Sequence, residues 1–374
     1  MDRCDVLIVG GGPAGSTCAW KLRAAGLDVV VLDKKQFPRD KTCAGWITPA
    51  VVEELALDTA GYSASRVLQP ITGFRTGIIG GRVVDTDYDP PVSFGIRRCE
   101  FDHYLLQRSG ARLRLGEKLE AIERSDHGWI INGSITTPML IGAGGHFCPI
   151  ARFLGASGGR GERVVAAQEV EFELTGPQRE ECAVRAAIPE LYFCPDLQGY
   201  GWCFRKGDFL NVGLGREDSR RLSEHVAGFC EMLKGQGRIP RSTPGTFHGH
   251  AYILYGHARR KLLGDGVLLI GDAAGLAYAQ SGEGIRPAVE SGLIAARVVL
   301  AAAGEYRRDM LRPYADRLRQ RFGEQEPAAG EESPLSGGVK QWAAARLLGT
   351  RWFSRHILID RWFLRANRPI LSGD

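Results

Sequence analysis

The ten residues VLIVGGGPAG (6–15), followed by DVVVLD (28–33), constrain this chain more than any other stretch. VLIVG and DVVVLD are continuous apolar runs, the signature of parallel strands buried on both faces. Between them the pattern predicts a helix from about Ala14 to Ala25, closed by Gly26. Gly10-x-Gly12-x-x-Gly15 sits at the strand-to-helix turn. Gly10 makes the tight turn, Gly12 lets backbone approach a pyrophosphate, and Gly15 lets helix and strand pack closely. Asp33 ends the second strand, placed to accept hydrogen bonds from an adenosine ribose. The glycines alone could be a structural turn; with strand, helix and acid in register they read as a dinucleotide site. The turn residues Pro13 and Ala14, with Lys34 and Arg39 after the second strand, complete this candidate cradle.

A second buried strand, GVLLIGDAAG (266–275), ends in Gly271-Asp272. One long ligand held at both ends accounts for two such sites, which favours FAD over NAD, with Asp272 on the ribityl hydroxyls. The alternative for Asp272 is a helix N-cap. In SGEGIRPAVESG, Gly282, Gly284 and Ile285 open a long helix read over 284–304. Its free N–H groups would stabilise negative charge on a reduced flavin. Glu283 faces either a substrate cavity or solvent.

The middle of the chain is strand-rich, at 71–79, 82–88, 112–115, 129–145 and 164–174, with a helix starting near Asp218 or Ser219 and ending near Gly235. Net charge is +5, with basic residues scattered among acids, so a nucleic-acid-binding stripe is not supported. The nine cysteines show no metal spacing and read as reduced thiols, as expected of a cytoplasmic protein. An apolar strand begins within a few residues of the N-terminus, so no targeting segment is expected. No apolar run is long enough to span a bilayer. Metal ligands are not expected, and His146 and Cys148 receive no catalytic role.

The hairpin YGWCFRKGDFLNVGLG (200–215) has Gly207-Asp208 at its turn, suited to type II′. Counting outward pairs Trp202 with Gly213 and Tyr200 with Gly215, and strand alternation puts Tyr200, Trp202 and Phe204 on one face. Glycines opposite large aromatics are expected to leave a gap, as in one wall of an apolar cavity; a plain packed core is the alternative.

Together GGGPAG, FPRDKTCAG, RRCEFD, this hairpin and GDAAGLAYAQSGEGIRPAVESG resemble the geranylgeranyl reductase family, within the para-hydroxybenzoate-hydroxylase-like flavoprotein superfamily. The resemblance covers roughly residues 3–315. It implies an α/β protein: a Rossmann-like FAD-binding domain, an inserted, mainly antiparallel β-sheet substrate domain (α+β in character), and C-terminal helices. The expected boundaries are 1–70, 97–160 and 262–325 for FAD, 71–96 and 161–261 for substrate, and 326–374 for linker and tail. Arg98 matches the family's FAD-phosphate arginine, with Arg97 as fallback, while Asp102 reads as a structural acid at the helix start. Cys43, Ala44 and Gly45 match the segment beside the isoalloxazine, with Ala44 replacing a glycine; Cys43 could equally be a small buried thiol. Arg205 stands where the family usually has proline.

The implied activity is FAD-dependent reduction of carbon–carbon double bonds in an isoprenoid or similarly apolar small molecule. The candidate cavity residues are Cys43, Tyr200, Trp202 and Glu283, and the proton donor is left open among Tyr200, Cys43, Glu283 and water. Gly144 stands where the superfamily carries an aspartate that helps position FAD and NADPH. Direct use of NADPH is therefore in doubt, and an external electron donor is the other option. Two rivals stand beside this reading: a flavin monooxygenase or halogenase, and a redox-inert lipid-binding protein or cyclase. The missing acid and the lack of a Trp-x-Trp-x-Ile-Pro segment weaken the first; intact glycines at both flavin contacts weaken the second. EQEPAAGEESPLSGG (324–338) reads as a linker. The tail 339–369 mixes arginine with Trp, Phe and Leu at helical spacing; it can pack over the substrate domain or lie peripherally on the membrane's inner face.

Overall fold

The computed structural model describes residues 1–156, 164–257, 260–324, 344 and 346–371. The proposed linker therefore lies outside the described residues beyond 324, as do 339–343 and 345 of the tail. The chain divides into two compact units. One comprises the described residues of Met1–Asp40, Cys99–Val164 and Tyr252–Ala329, the other those of Lys41–Arg98, Val165–Ala251 and Gly330–Asp374. The α/β class expected from the sequence is the one observed.

The first unit is built on a parallel sheet, in the order Arg112–Leu115, Val29–Asp33, Val6–Val9, Met139–Gly142, Val267–Leu269, with Leu263–Gly264 antiparallel at its edge. Val6, Leu7, Ile8, Val29, Val30 and Val31 are completely buried, as two-sided burial of such runs requires. The first helix spans Pro13–Ala24, and Gly26 closes it with φ +90°. It packs against the helix Ile285–Ala301 where a Cβ on Gly292 would stand 2.6 Å from the Ala14 carbonyl oxygen. The stretch read at 129–145 divides into Gly128–Ile131, Ile135–Thr137 and Met139–Gly142, because Asn132 and Gly133 turn the chain with φ +50° and +62°.

The second unit carries a mainly antiparallel sheet ordered His248–Ile253, Val164–Glu173, Phe209–Arg216, Gly199–Lys206, Glu190–Phe193, Gly73–Ile78, Val83–Asp87. Glu190–Phe193 pairs parallel to Gly73–Ile78. The hairpin register is the one counted from its turn, Trp202 opposite Gly213 and Tyr200 opposite Gly215. Gly207 has φ +59°, as the first central position of a type II′ turn demands. One sheet face packs Cys203, Val212 and Leu214 against Val226 and Phe229 of the helix Leu222–Gly235. That helix starts later than expected, because the Asp218 carboxylate takes up the Arg220 backbone N–H and guanidinium in a turn of its own. The opposite face carries Tyr200, Trp202 and Phe204.

The tail packs within this second unit. Leu358 and Ile359 of the helical segment Ser354–Phe363 are fully buried, and Tyr88 Oη donates to Asp360 Oδ1 at 2.7 Å. Phe363 stacks on Trp46 at 5.4 Å and meets Tyr200 edge-on at 5.5 Å. Among the described residues no helix is long and apolar enough to cross a membrane.

Candidate active site

In the first unit the glycine turn is dictated by steric necessity. Gly10 has φ +117°, and a Cβ there would stand 2.3 Å from the Ala143 carbonyl oxygen. A Cβ on Gly15 would stand 1.9 Å from the Gly10 carbonyl oxygen. Gly12 differs: it precedes the helix at φ −75°, ψ −176°, and its nearest neighbour would be Arg39 Nη2 at 3.6 Å. Open space therefore lies above a helix N-terminus that no side chain caps. Arg39 is held by a 3.4 Å ion pair to the completely buried Asp102. This corrects the reading of Asp102 as a helix-start acid. The helix spans Arg98–Arg108, its first-turn acid is Glu100, and Asp102 lies one turn in, where it orients Arg39. Pro13 is the first helical residue, and Ala14 touches Gly271, whose Cβ would lie 3.0 Å from its own. Asp33 accepts from the Gly11 N–H at 2.8 Å and the Lys35 N–H at 2.9 Å, using two of its four lone-pair sites and leaving acceptor capacity for hydroxyls. Lys34 is exposed.

Asp272 sits inside the short turn Gly271–Ala274, whose N-cap is Ile270, so the N-cap explanation for this acid fails. Its Oδ1 lies 3.2 Å from where a Gly284 Cβ would be. Gly284 precedes the helix Ile285–Ala301 with no side-chain cap, and Gly282, at φ +68°, faces Tyr252 Oη, 2.5 Å from its Cβ position. Glu283 is partly buried and its N–H donates to Ser281 Oγ at 3.3 Å. A Cβ on Gly144 would meet Cys148 Sγ at 3.3 Å, so Cys148 closes over the space an aspartate would need. Two uncapped helix N-termini, a fixed arginine and two acids in one unit fit an extended diphosphate ligand such as FAD.

The remaining candidates belong to the second unit. Arg98 is buried at the first position of its helix, whereas Arg97 is engaged by Glu171 at 3.8 Å and by the Phe209 ring at 3.5 Å. Gly45 has φ +69°, and its carbonyl accepts from the Ile96 N–H at 2.7 Å; Ala44, beside it, is partly buried. The expected gap opposite the aromatics is corrected. The Trp202 ring fills it, lying 2.3 Å from where a Gly213 Cβ would stand. Gly213 is small so that the indole can lie flat across the strand. Phe204 is packed against Trp46 at 5.8 Å and is 1% exposed, while Tyr200 is partly exposed.

A hydrogen-bonded chain links this face to Cys43. Trp202 Nε1 donates to Asn211 Oδ1 at 2.7 Å, Asn211 Nδ2 donates to the Cys43 carbonyl at 3.2 Å, and the Cys43 N–H donates to Glu169 Oε1 at 2.6 Å. Glu169 lies in one row with Gly213 and Trp202 across three strands. The sequence reading missed it. Glu169, Glu171 and Glu173 alternate along one strand and look like a solvent face, yet Glu169 is only 5% exposed. The visible signal was the hairpin opposite: a wall containing Trp202 must cover its neighbouring strand. Burial pushes the Glu169 carboxyl up to about 7, against the smaller opposing pulls of the Cys43 N–H and the Lys206 charge.

A raised carboxyl contributes its stability below its unfolded value of 4.5 and loses it as pH rises through 7. Wild-type protein should therefore lose up to about 3 kcal/mol between about pH 5 and 8 relative to Glu169→Gln, read from denaturant midpoints at both pH values.

Comparison with known proteins agrees with this geometry. Residues 5–76 match the FAD dependent oxidoreductase family. A menaquinone reductase of Mycobacterium tuberculosis is 30% identical over 349 residues, 86% of this chain and 81% of that protein. Digeranylgeranylglycerophospholipid reductase 1 of Methanothermobacter thermautotrophicus is 27% identical over 356 residues, 88% and 82% of the two chains. The crystal structure of a geranylgeranyl bacteriochlorophyll reductase-like protein from Thermoplasma acidophilum superposes with a TM-score of 0.72 at 20% identity, covering 94% of this chain and 88% of that one. With a reductase 30% identical over 86% of its length, and residues 5–76 matching the FAD dependent oxidoreductase family, the chain belongs to the geranylgeranyl reductase family of FAD-dependent oxidoreductases.

Proposed function

We propose that this enzyme reduces carbon–carbon double bonds in the isoprenoid chain of a lipid-like molecule, such as a prenyl quinone or a prenylated glycerolipid. Both named relatives carry such a molecule in their names. The observation that carries the reading is the aromatic wall of partly exposed Tyr200 and buried Trp202, with Trp202 laid over Gly213 and tied through Asn211 to the Cys43 carbonyl. A branched alkene chain packs on flat aromatic surface without needing polar partners.

Reduced FAD, when bound, supplies a hydride. The chain's own residues do the rest. Gly12, Arg39 and the N-terminus of Pro13–Ala24 would receive the diphosphate. Asp33 takes the ribose and Asp272 the ribityl hydroxyls. Gly282, Gly284 and Ile285 would put backbone against the ring system. Tyr200, Trp202 and Cys43 would exclude water and orient the alkene. The crowding of Gly144 by Cys148 supports an electron donor other than directly docked NADPH. The exposed Trp352 and Leu347, flanked by Arg351 and Arg355, suit contact with an anionic membrane surface where such substrates reside.

Dithionite-reduced protein mixed without oxygen with a short-chain prenyl quinone or geranylgeranyl lipid should recover the spectrum of oxidised flavin. Recovery only on admitting oxygen, with an oxygen atom in the product, would establish the monooxygenase reading instead.

A further inference from the structure

We propose that the Glu169 carboxyl is the proton donor that completes reduction of the double bond. This rests on the alkene-reduction reading and names the acid that reading lacks. Glu169 occupies the same strand row as Trp202, next to the Cys43 backbone, on the face proposed to hold the isoprenoid chain. Its Oε1 is fixed by the Cys43 N–H, while Oε2 is buried and has no hydrogen-bond partner among the described residues. A carboxyl with one oxygen anchored and the other unsatisfied is a positioned acid, and leaving it so has a cost that a purely structural glutamate would not carry.

The groups facing it divide in sign. Lys206, on the hairpin, favours the carboxylate, and Glu171, on the same strand, favours the neutral acid. Glu171 is itself paired with Lys206 and Arg97, which moderates both influences. The Cys43 N–H and the Asn211 side chain also hydrogen-bond this carboxyl and favour its ionised form. Burial outweighs these and keeps the group protonated to neutral pH.

The step balances. As a hydride adds to one alkene carbon, Glu169 would give its proton to the other: the π bond breaks, its electron pair forms the new C–H bond, and the Glu169 O–H bond breaks. Glu169 would be left as a carboxylate that recovers a proton from solvent before the next turnover, the two electrons having come from the reduced flavin the site would hold.

Glu169→Gln keeps the shape and an oxygen acceptor for the Cys43 N–H but cannot supply the proton. Its anaerobic alkene-reduction rate is expected to fall by at least about 100-fold, and the loss of rate expected of wild type above about pH 7 should be absent from the residual activity. In parallel, infrared difference spectra of wild type should show a carboxylic C=O band that disappears as pH rises through about 7 and is absent from the variant. A variant rate within about threefold of wild type, with the alkaline limb intact, overturns the proposal. So does an infrared titration showing Glu169 already ionised at about pH 5, a measurement that holds even if the variant folds poorly. Wild type that binds FAD but reduces no prenyl substrate overturns the reaction reading itself, and the donor role with it.

Discussion

Gly12→Ala is expected to give a normally folded protein that purifies colourless. The backbone at this position, φ −75° and ψ −176°, is open to any L-residue. The added methyl would meet nothing closer than Arg39 Nη2, at 3.6 Å. The protein itself therefore has room for alanine, and the only thing the methyl can displace is a ligand seated on the helix N-terminus. FAD affinity should drop by about 100-fold or more, roughly 3 kcal/mol, with the apoprotein's unfolding midpoint unchanged. Gly15→Ala makes the contrast: its methyl would stand 1.9 Å from the Gly10 carbonyl oxygen, so the helix must shift and stability falls together with affinity. Isothermal titration of apoprotein with FAD, run beside denaturant unfolding, separates the two behaviours. Full FAD affinity in Gly12→Ala would mean that the diphosphate does not approach here.

Lys206→Met carries the largest expected cost in stability. Lys206 is 1% exposed, donates to the Ala44 carbonyl at 3.1 Å and the Ile96 carbonyl at 3.0 Å, and is paired with Glu171. Its stem runs in a slot made by Gly95, where a Cβ would meet Lys206 Cγ at 2.9 Å. Methionine refills the slot but strands two buried carbonyls and the carboxylate. Loss of one partner of a buried pair costs about 3–5 kcal/mol, and the low end applies because the Glu171 side chain retains 20% exposure. The substitution also removes the cation that favours ionised Glu169, so the Glu169 carboxyl should titrate higher still. A denaturant midpoint equal to that of wild type would show that Lys206 is dispensable.

What could be read in the sequence was what depends on local geometry. The glycine turn, the position of Asp33 and the hairpin register from Gly207-Asp208 each follow from backbone rules acting over a few residues. What could not be read depends on partners brought from afar. Asp102 looked like a helix-start acid because nothing local shows Arg39 reaching it. Gly213 suggested a gap because the rotamer of Trp202 across the sheet is not written in the strand that carries the glycine. Glu169 looked solvated because its alternation with Glu171 and Glu173 is what a wet face shows, and only the covering hairpin reverses that. The tail's amphipathic pattern suited a membrane surface and a protein one alike, and nothing local shows that Phe363 packs on Trp46 and Tyr200.

The measurement that bears most directly on the whole account is the mass of the product from one anaerobic turnover of reduced enzyme with a prenyl quinone. The account predicts a gain of two hydrogens per double bond, located in the isoprenoid chain. An unchanged chain mass, or a gain of oxygen once air is admitted, would contradict it.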